Sequence, residues 1–319
     1  MSDKISSFIA STVFCALILA AGCAQTATLA LKFTPQDLTT YQLTKEVKRS
    51  VIWEGPVSAF KGGHTGYRIE MTFAEQVQSI DEKGNAIEVI TIKQLKYLSK
   101  VKDNTVLDFD SSRERDQDSP LAKLIGQSYT IKISPTGRVL NVVDANRVQA
   151  AVKGSSSANK TALMLISTEV IKERHTFAAI AASSKEQLHP GDSWSEITSF
   201  YFDMMGSKSY EKIYTLKEVK DVNNHKIAII EMNAIPSSEK AEKLHKERAM
   251  GLFSSMFDNI ETYTGELKFD LTAGKVERYI EQLQTEWIAV DPLAKKEDDK
   301  EPAVLKMAAV RLYLIEKID

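Results

Sequence analysis

Cysteine is almost absent from this chain. Its 319 residues hold two, Cys15 and Cys23, so no disulfide framework staples the fold. An excess of charge of either sign is missing too. Lys plus Arg (41) nearly balances Asp plus Glu (43), for a net charge of −2. Such a chain projects no broad field toward nucleic acid. Glycine (14) and proline (8) are sparse, which excludes a collagen-like or low-complexity chain. The apolar share of 43% and charged share of 26% exclude a disordered chain and a polytopic membrane protein. The length suffices for two ordinary domains or one large one.

What is present is most informative at the amino terminus. Lys4 gives a weakly positive start, diluted by Asp3, and an apolar run follows from Phe8 to Ala21. That run is short for a membrane span and has the length of a signal-peptide core. It ends in Leu19-Ala20-Ala21-Gly22-Cys23. Small residues directly before a cysteine resemble the lipobox of bacterial lipoproteins, although Ala20 stands where that pattern usually has Leu. The resemblance implies a signal peptide over 1–22, lipidation at Cys23 and a lipid-anchored tether over 23–28. It implies a bacterial envelope location in which the membrane is a partner through the anchor. Ala24 in place of Asp after the cysteine points to the outer membrane, facing the periplasm or the cell surface. The alternatives are an ordinary secretory signal cut after Ala24, or a cytosolic chain with an apolar leader.

The body reads as strands. Tyr67, Ile69, Met71 and Phe73 alternate with polar residues, the period of a half-buried strand, and Leu29, Leu31 and Phe33 do the same. Turn signals stand between such stretches, at Gly84-Asn85, Pro135-Thr136-Gly137, Asn223-Asn224 and Ala273-Gly274. The order of parts recurs. Lys32-Phe33-Thr34-Pro35-Gln36-Asp37 opens one half and Gln187-Leu188-His189-Pro190-Gly191-Asp192 the other, and each half closes on a hairpin.

Two stretches have helical spacing. Residues 158–182 place Leu163, Ile166, Val170, Phe177 and Ile180 on one stripe, and 238–260 place Leu252, Phe253, Met256, Phe257 and Ile260 on one face. That second face faces a ligand or the core. The expected fold class is therefore α+β, mainly antiparallel β. Two related β-rich halves, open or half-barrel sheets, carry long helices packed across them. The first half covers 29–150, a linking helix lies within 151–185, and the second half covers 186–319 with the inserted helix at 238–260.

From Leu29 onward the chain resembles a family of bacterial envelope proteins of unknown function. The resemblance is carried by Lys32 to Asp37, Phe109-Asp110-Ser111, Ile125-Gly126 and Ser134-Pro135-Thr136-Gly137-Arg138-Val139. The family has Gly before the first Asp, where this chain has Gln36, while the second copy keeps Gly191. The resemblance implies location and fold, and carries no catalytic signature.

No catalytic constellation is readable, so an enzyme is not expected, nor a cofactor. The histidines, His64, His175, His189, His225 and His245, never stand at the spacing of a helical zinc pair, and no metal site is expected. Asp108, Asp110, Glu114, Asp116 and Asp118 offer hard oxygen ligands but lack the glycine and terminal Glu of a calcium loop. Gly154-Ser155-Ser156-Ser157 reads as a linker with a helix cap. Two roles remain open. The first is a structural or interaction protein whose strand edge at Val304–Ile315 accepts a partner strand from an envelope protein. The second is a module whose apolar surface holds a lipid or other hydrophobic ligand.

Overall fold

The computed structural model describes residues 26–54, 62–183, 185–202, 206–237, 258–290 and 304–319. The segment expected as a signal peptide, Cys23, His245 and the face residues Leu252, Phe253, Met256 and Phe257 lie outside them.

The first six strands are β1 (Leu38–Glu54), β2 (Gly63–Ile80), β3 (Ala86–Val101), β4 (Asn104–Asp110), β5 (Ser128–Ile133) and β6 (Val139–Val143). Four short helices follow, α1 (Ala145–Ala151), α2 (Ser157–Leu165), α3 (Thr168–His175) and α4 (Ala178–Ala181). The last six strands are β7 (Ser193–Phe202), β8 (Gly206–Val222), β9 (His225–Pro236), β10 (Asp258–Asp270), β11 (Lys275–Val290) and β12 (Val304–Lys317). All pairings are antiparallel, in the order β6-β5-β3-β2-β1-β12-β11-β10-β9-β8-β7, with β4 beside β3.

This corrects the expected fold class. The strands join one open twelve-stranded sheet instead of two, and among the described residues no long helix crosses it. The stripe at 158–182 is broken into three pieces for a local reason. The Ser167 hydroxyl accepts from the Val170 amide at 3.3 Å and starts a new helix after Ile166 has left helical geometry. Thr176 is extended, and α4 begins after Phe177. The stripe still faces inward, with Ile166, Phe177 and Ile180 buried. Of the second expected helix, Asp258–Ile260 open β10, and Ile260 is 70% exposed. The strand edge expected at Val304–Ile315 is not an edge either. β12 pairs with β1 on one side and β11 on the other, from Tyr41↔Lys317 to Val290↔Val304.

The start of each half is built the same way. The Asp37 amide donates to Thr34 O at 3.0 Å, and the Asp192 amide to His189 O at 2.9 Å. Gln36 N then donates to Val77 O and Val77 N to Asp37 O, at 2.8 and 3.0 Å. In the other copy Gly191 N donates to Leu216 O and Leu216 N to Asp192 O, at 2.7 and 3.0 Å. The β2–β3 ladder shifts register after Val77, and the β8–β9 ladder after Leu216.

Alternation decides which side chains meet the core. Ile69, Met71 and Phe73 of β2, Tyr210, Tyr214 and Leu216 of β8, and Leu267 and Phe269 of β10 are all buried. The helices cover this face over the first half, where Leu165, Ile171 and Phe177 join the same apolar cluster. The segment from Ala27 to Lys32 ties the turn-bearing end together. Ala27 bridges Leu188, Leu31 N donates to Pro135 O at 2.7 Å, and Lys32 N donates to Gly274 O at 3.1 Å. A Cβ on Gly274 would stand 2.5 Å from Lys32 N, so this close approach needs glycine.

Candidate ligand-binding site

The sheet curls. Five strand steps separate β12 from β7, about 24 Å if flat at the usual inter-strand spacing. Yet the Arg311 guanidinium of β12 lies 4.2 Å from the ring centroid of Phe200 on β7. The far edge is pinned to the helices as well, since Trp194 Nε1 donates to Ala179 O of α4 at 2.8 Å. Between the curled sheet and α3–α4 lies a cavity of about 250 Å³, lined by Val47, Thr198, Phe200, Leu283 and a set of charged and phenolic side chains. A second of about 250 Å³ adjoins it under α2 and α3, lined by Leu43, Ile69, Met164 and Leu165. Lys45, Glu173, Arg311 and Tyr313 line both.

The polar groups come from inward positions of four strands. Lys212 of β8 lies 2.6 Å from Glu196 of β7 and 3.1 Å from Glu281 of β11. Tyr263 OH donates to Glu281 at 2.6 Å, Tyr279 OH donates to its other oxygen, and Tyr214 OH donates to Glu196 at 3.2 Å. Burial alone pushes the Lys212 ammonium down, but Glu281, Tyr214 and Glu196 together outweigh it and hold it above the ordinary lysine value. Burial, reinforced by the Glu281 charge, raises the phenols of Tyr263, Tyr279 and Tyr214. This end is a closed network in which each carboxylate has its donors. At the other end Lys45 holds Glu173 at 2.8 Å.

A second polar chain lies buried beneath the helices. Arg174 Nη1 donates to Tyr129 OH at 3.1 Å, and Tyr129 OH is 2.7 Å from His175 Nε2. His175 Nδ1 is 3.0 Å from Glu75. Burial pushes the His175 imidazole well below its ordinary value, and Arg174 adds to this. The hydroxyl that accepts from Arg174 therefore donates to a neutral imidazole, whose other nitrogen donates to Glu75. Burial raises Glu75 to about 7, and raises Glu88 to about 8 with help from the charge of Glu75.

The sequence singled out none of the cavity's charged residues; Tyr67, Ile69 and Val170, which line the second cavity, stood out only for their strand and helix spacing. The available signal was a charge at an inward position of an alternating strand: Lys212 between Tyr210 and Tyr214, Glu281 between Tyr279 and Leu283, Arg311 between Ala309 and Tyr313. The residues it singled out for their chemistry fall elsewhere. Arg113 clamps Asp108 at 2.9 and 3.0 Å and Asp116 at 2.6 Å, so two of the five acids already hold a guanidinium. His64 pairs with Asp103, His189 with Asp192 and His225 with Asp270. Ser156 caps α2 through the Asn159 amide at 3.2 Å. Among the described residues no cluster of His, Cys, Asp and Glu is placed to hold a metal ion, and no helix is long and apolar enough to cross a membrane.

Residues 83–276, from the β2–β3 turn to the start of β11, match the sequence pattern of the family of unknown function DUF6263. The chain belongs to this family. The matched region of this DUF6263 protein contains Lys212, Glu196 and Tyr263, while Glu281 and Arg311 lie beyond it. No curated protein matches the DUF6263 chain in sequence. Among solved structures it is similar to lipovitellin, studied for its lipid–protein interactions, with a TM-score of 0.42 and 11% identity over 90% of this chain and 26% of that one. It thus spans about a quarter of the lipovitellin chain. It is also similar to DynF from the dynemicin biosynthesis pathway of Micromonospora chersina, with a TM-score of 0.19 and 7% identity over 93% of this chain and 88% of that one. Neither likeness reaches the closeness at which a fold is shared.

Proposed function

We propose that this DUF6263 protein is a lipid-anchored binding protein of the bacterial cell envelope, and that the inner face of its curled sheet is the ligand site. The observation that carries the reading is the pair of adjoining cavities between sheet and helices, one with a largely charged and phenolic lining and the other with Leu43, Ile69, Met164 and Leu165 in its wall. Apolar wall beside convergent fixed polar groups is what ligand sites combine. The sequence Leu19-Ala20-Ala21-Gly22-Cys23 supports the anchor, and Ala24 supports the outer membrane. Cys23 precedes the Ala27 bridge by four residues, so the acyl chains would enter the membrane within about 15 Å of it. The ligand reading is favoured over a purely structural role because the strand proposed to accept a partner, β12, has both edges occupied.

Native mass spectrometry of the full chain, gently extracted from its membrane, tests the reading. A copurifying small molecule, displaced when Phe200→Trp fills the first cavity, is the expected result. A ligand-free mass in both proteins sinks it.

A further inference from the structure

Among the described residues, two cations around the cavities have no carboxylate in contact: Arg174, whose guanidinium donates to Tyr129 OH and Leu165 O, and Arg311, for which no such acceptor stands in. Lys45 is held by Glu173, and Lys212 by Glu196 and Glu281. Glu281 is further occupied by Tyr263 and Tyr279. Arg311 lines both cavities and is stacked on Phe200, yet among the described residues no carboxylate lies within ion-pair distance of it. A guanidinium carries five N–H donors in a planar fork, and a ring against its face leaves the edge of that fork for an acceptor. Arg311 sits at the centre of the sheet, flanked on β12 by Ala309 and Tyr313, with no solvated loop to carry it into water. Burial holds it below the ordinary arginine value. Glu173, itself held by Lys45, acts on it only from beyond ion-pair distance. A partly buried cation with no carboxylate in contact is costly, and a ligand that supplies the contact recovers that cost on binding.

We infer that the ligand carries an anionic group, carboxylate or phosphate, on an apolar body, and that Arg311 pairs with that group where the two cavities meet. This rests on the reading of the inner face as a ligand site. The apolar body lies along Leu43, Ile69, Met164 and Leu165 under α2 and α3. The guanidinium fork matches either oxyanion bidentately, which a lysine at the same place would not.

Isothermal titration of the full chain with decanoate, decyl phosphate and decanol separates the cases. At least one anion binds about tenfold or more tighter than the alcohol, the value of a charge-assisted hydrogen bond. Arg311→Gln removes the preference, bringing the anions to the level of decanol in the same variant, and Arg311→Lys retains part of it. A lead for decanoate identifies a carboxylate ligand, and a lead for decyl phosphate a phosphate. Equal affinity of the wild-type chain for the anions and the alcohol overturns the anion inference and leaves the ligand site standing. This comparison needs no variant, so a misfolded Arg311→Gln does not remove it. No binding of any of the three overturns the anion inference, and together with a ligand-free native mass it overturns the ligand site as well.

Discussion

Glu75 and Glu88 stand at inward positions of β2 and β3, where alternation would place apolar side chains. Burial raises the first to about 7 and the second to about 8, from an ordinary 4.5. The folded state therefore holds more protons than the unfolded one between about pH 4.5 and 8. The contribution of these groups is fully present below pH 4.5 and lost as pH rises through 7 to 8. His175 acts in the opposite sense. Its folded value is depressed, so its contribution is present above pH 6.5 and lost on acidification. Glu88→Gln, which mimics the protonated acid, should leave stability near pH 4.5 unchanged. At pH 8.5 it should raise stability by about 1 kcal/mol or more. Urea unfolding at the two pH values checks this, and a variant that tracks the wild type at both contradicts it. These residues were present in the sequence as charges within strand patterns. What the sequence could not supply was the partner: Arg174 and His175 reach Tyr129 and Glu75 from 45 to 100 residues away.

At the scale of elements, the repeated opening turns offer a comparison inside one molecule. Gln36 has φ 71° and Gly191 φ 96°, at equivalent places with equivalent hydrogen bonds. A side chain in the left-handed region costs about 1–2 kcal/mol. Gln36 meets that cost with an exposed contact of its own, accepting from Gln76 at 3.3 Å. Gln36→Gly should raise the melting free energy by about 0.5–1 kcal/mol, the larger unfolded-state freedom of glycine offsetting part of the relief. A thermal melt of Gln36→Gly at or below the wild type would count against strain at this turn. Strands and turns were legible here because alternation and Pro, Gly and Asn at fixed places act locally. Tyr67 to Phe73 lie in β2, and Gly137 and Gly274 close the hairpins β5–β6 and β10–β11. The helices were misjudged because periodicity sees a stripe and not a break. Ser167-Thr168-Glu169 within the stripe carried the cap that divides it.

For the whole molecule, the decisive feature is the seam. Alternation shows that Val304–Lys317 is a strand but is silent about its neighbours, which is why a central strand read as an edge. The cavity was illegible for the same reason. Arg311 and Phe200 are 111 positions apart and meet because the four strands between theirs curl. With β12 removed, β1 and β11 each lose a full ladder and the first half loses its covalently remote support. Deleting residues 304–319 should abolish the cooperative thermal transition seen by circular dichroism. A truncated chain that melts cooperatively near the wild-type temperature would show that each half stands alone.

The seam also sets an order in time. Most ladders in this sheet join neighbours along the chain and can zip locally, but β1 at Leu38–Glu54 waits for a partner that ends at Lys317. Closing so long a loop delays the contacts that reward it. Synthesis from the amino terminus delivers β12 after every other described strand, so the barrier to the finished sheet stays in place until β12 has been made. Until then the locally zipped hairpins lack the ladder that joins the two halves.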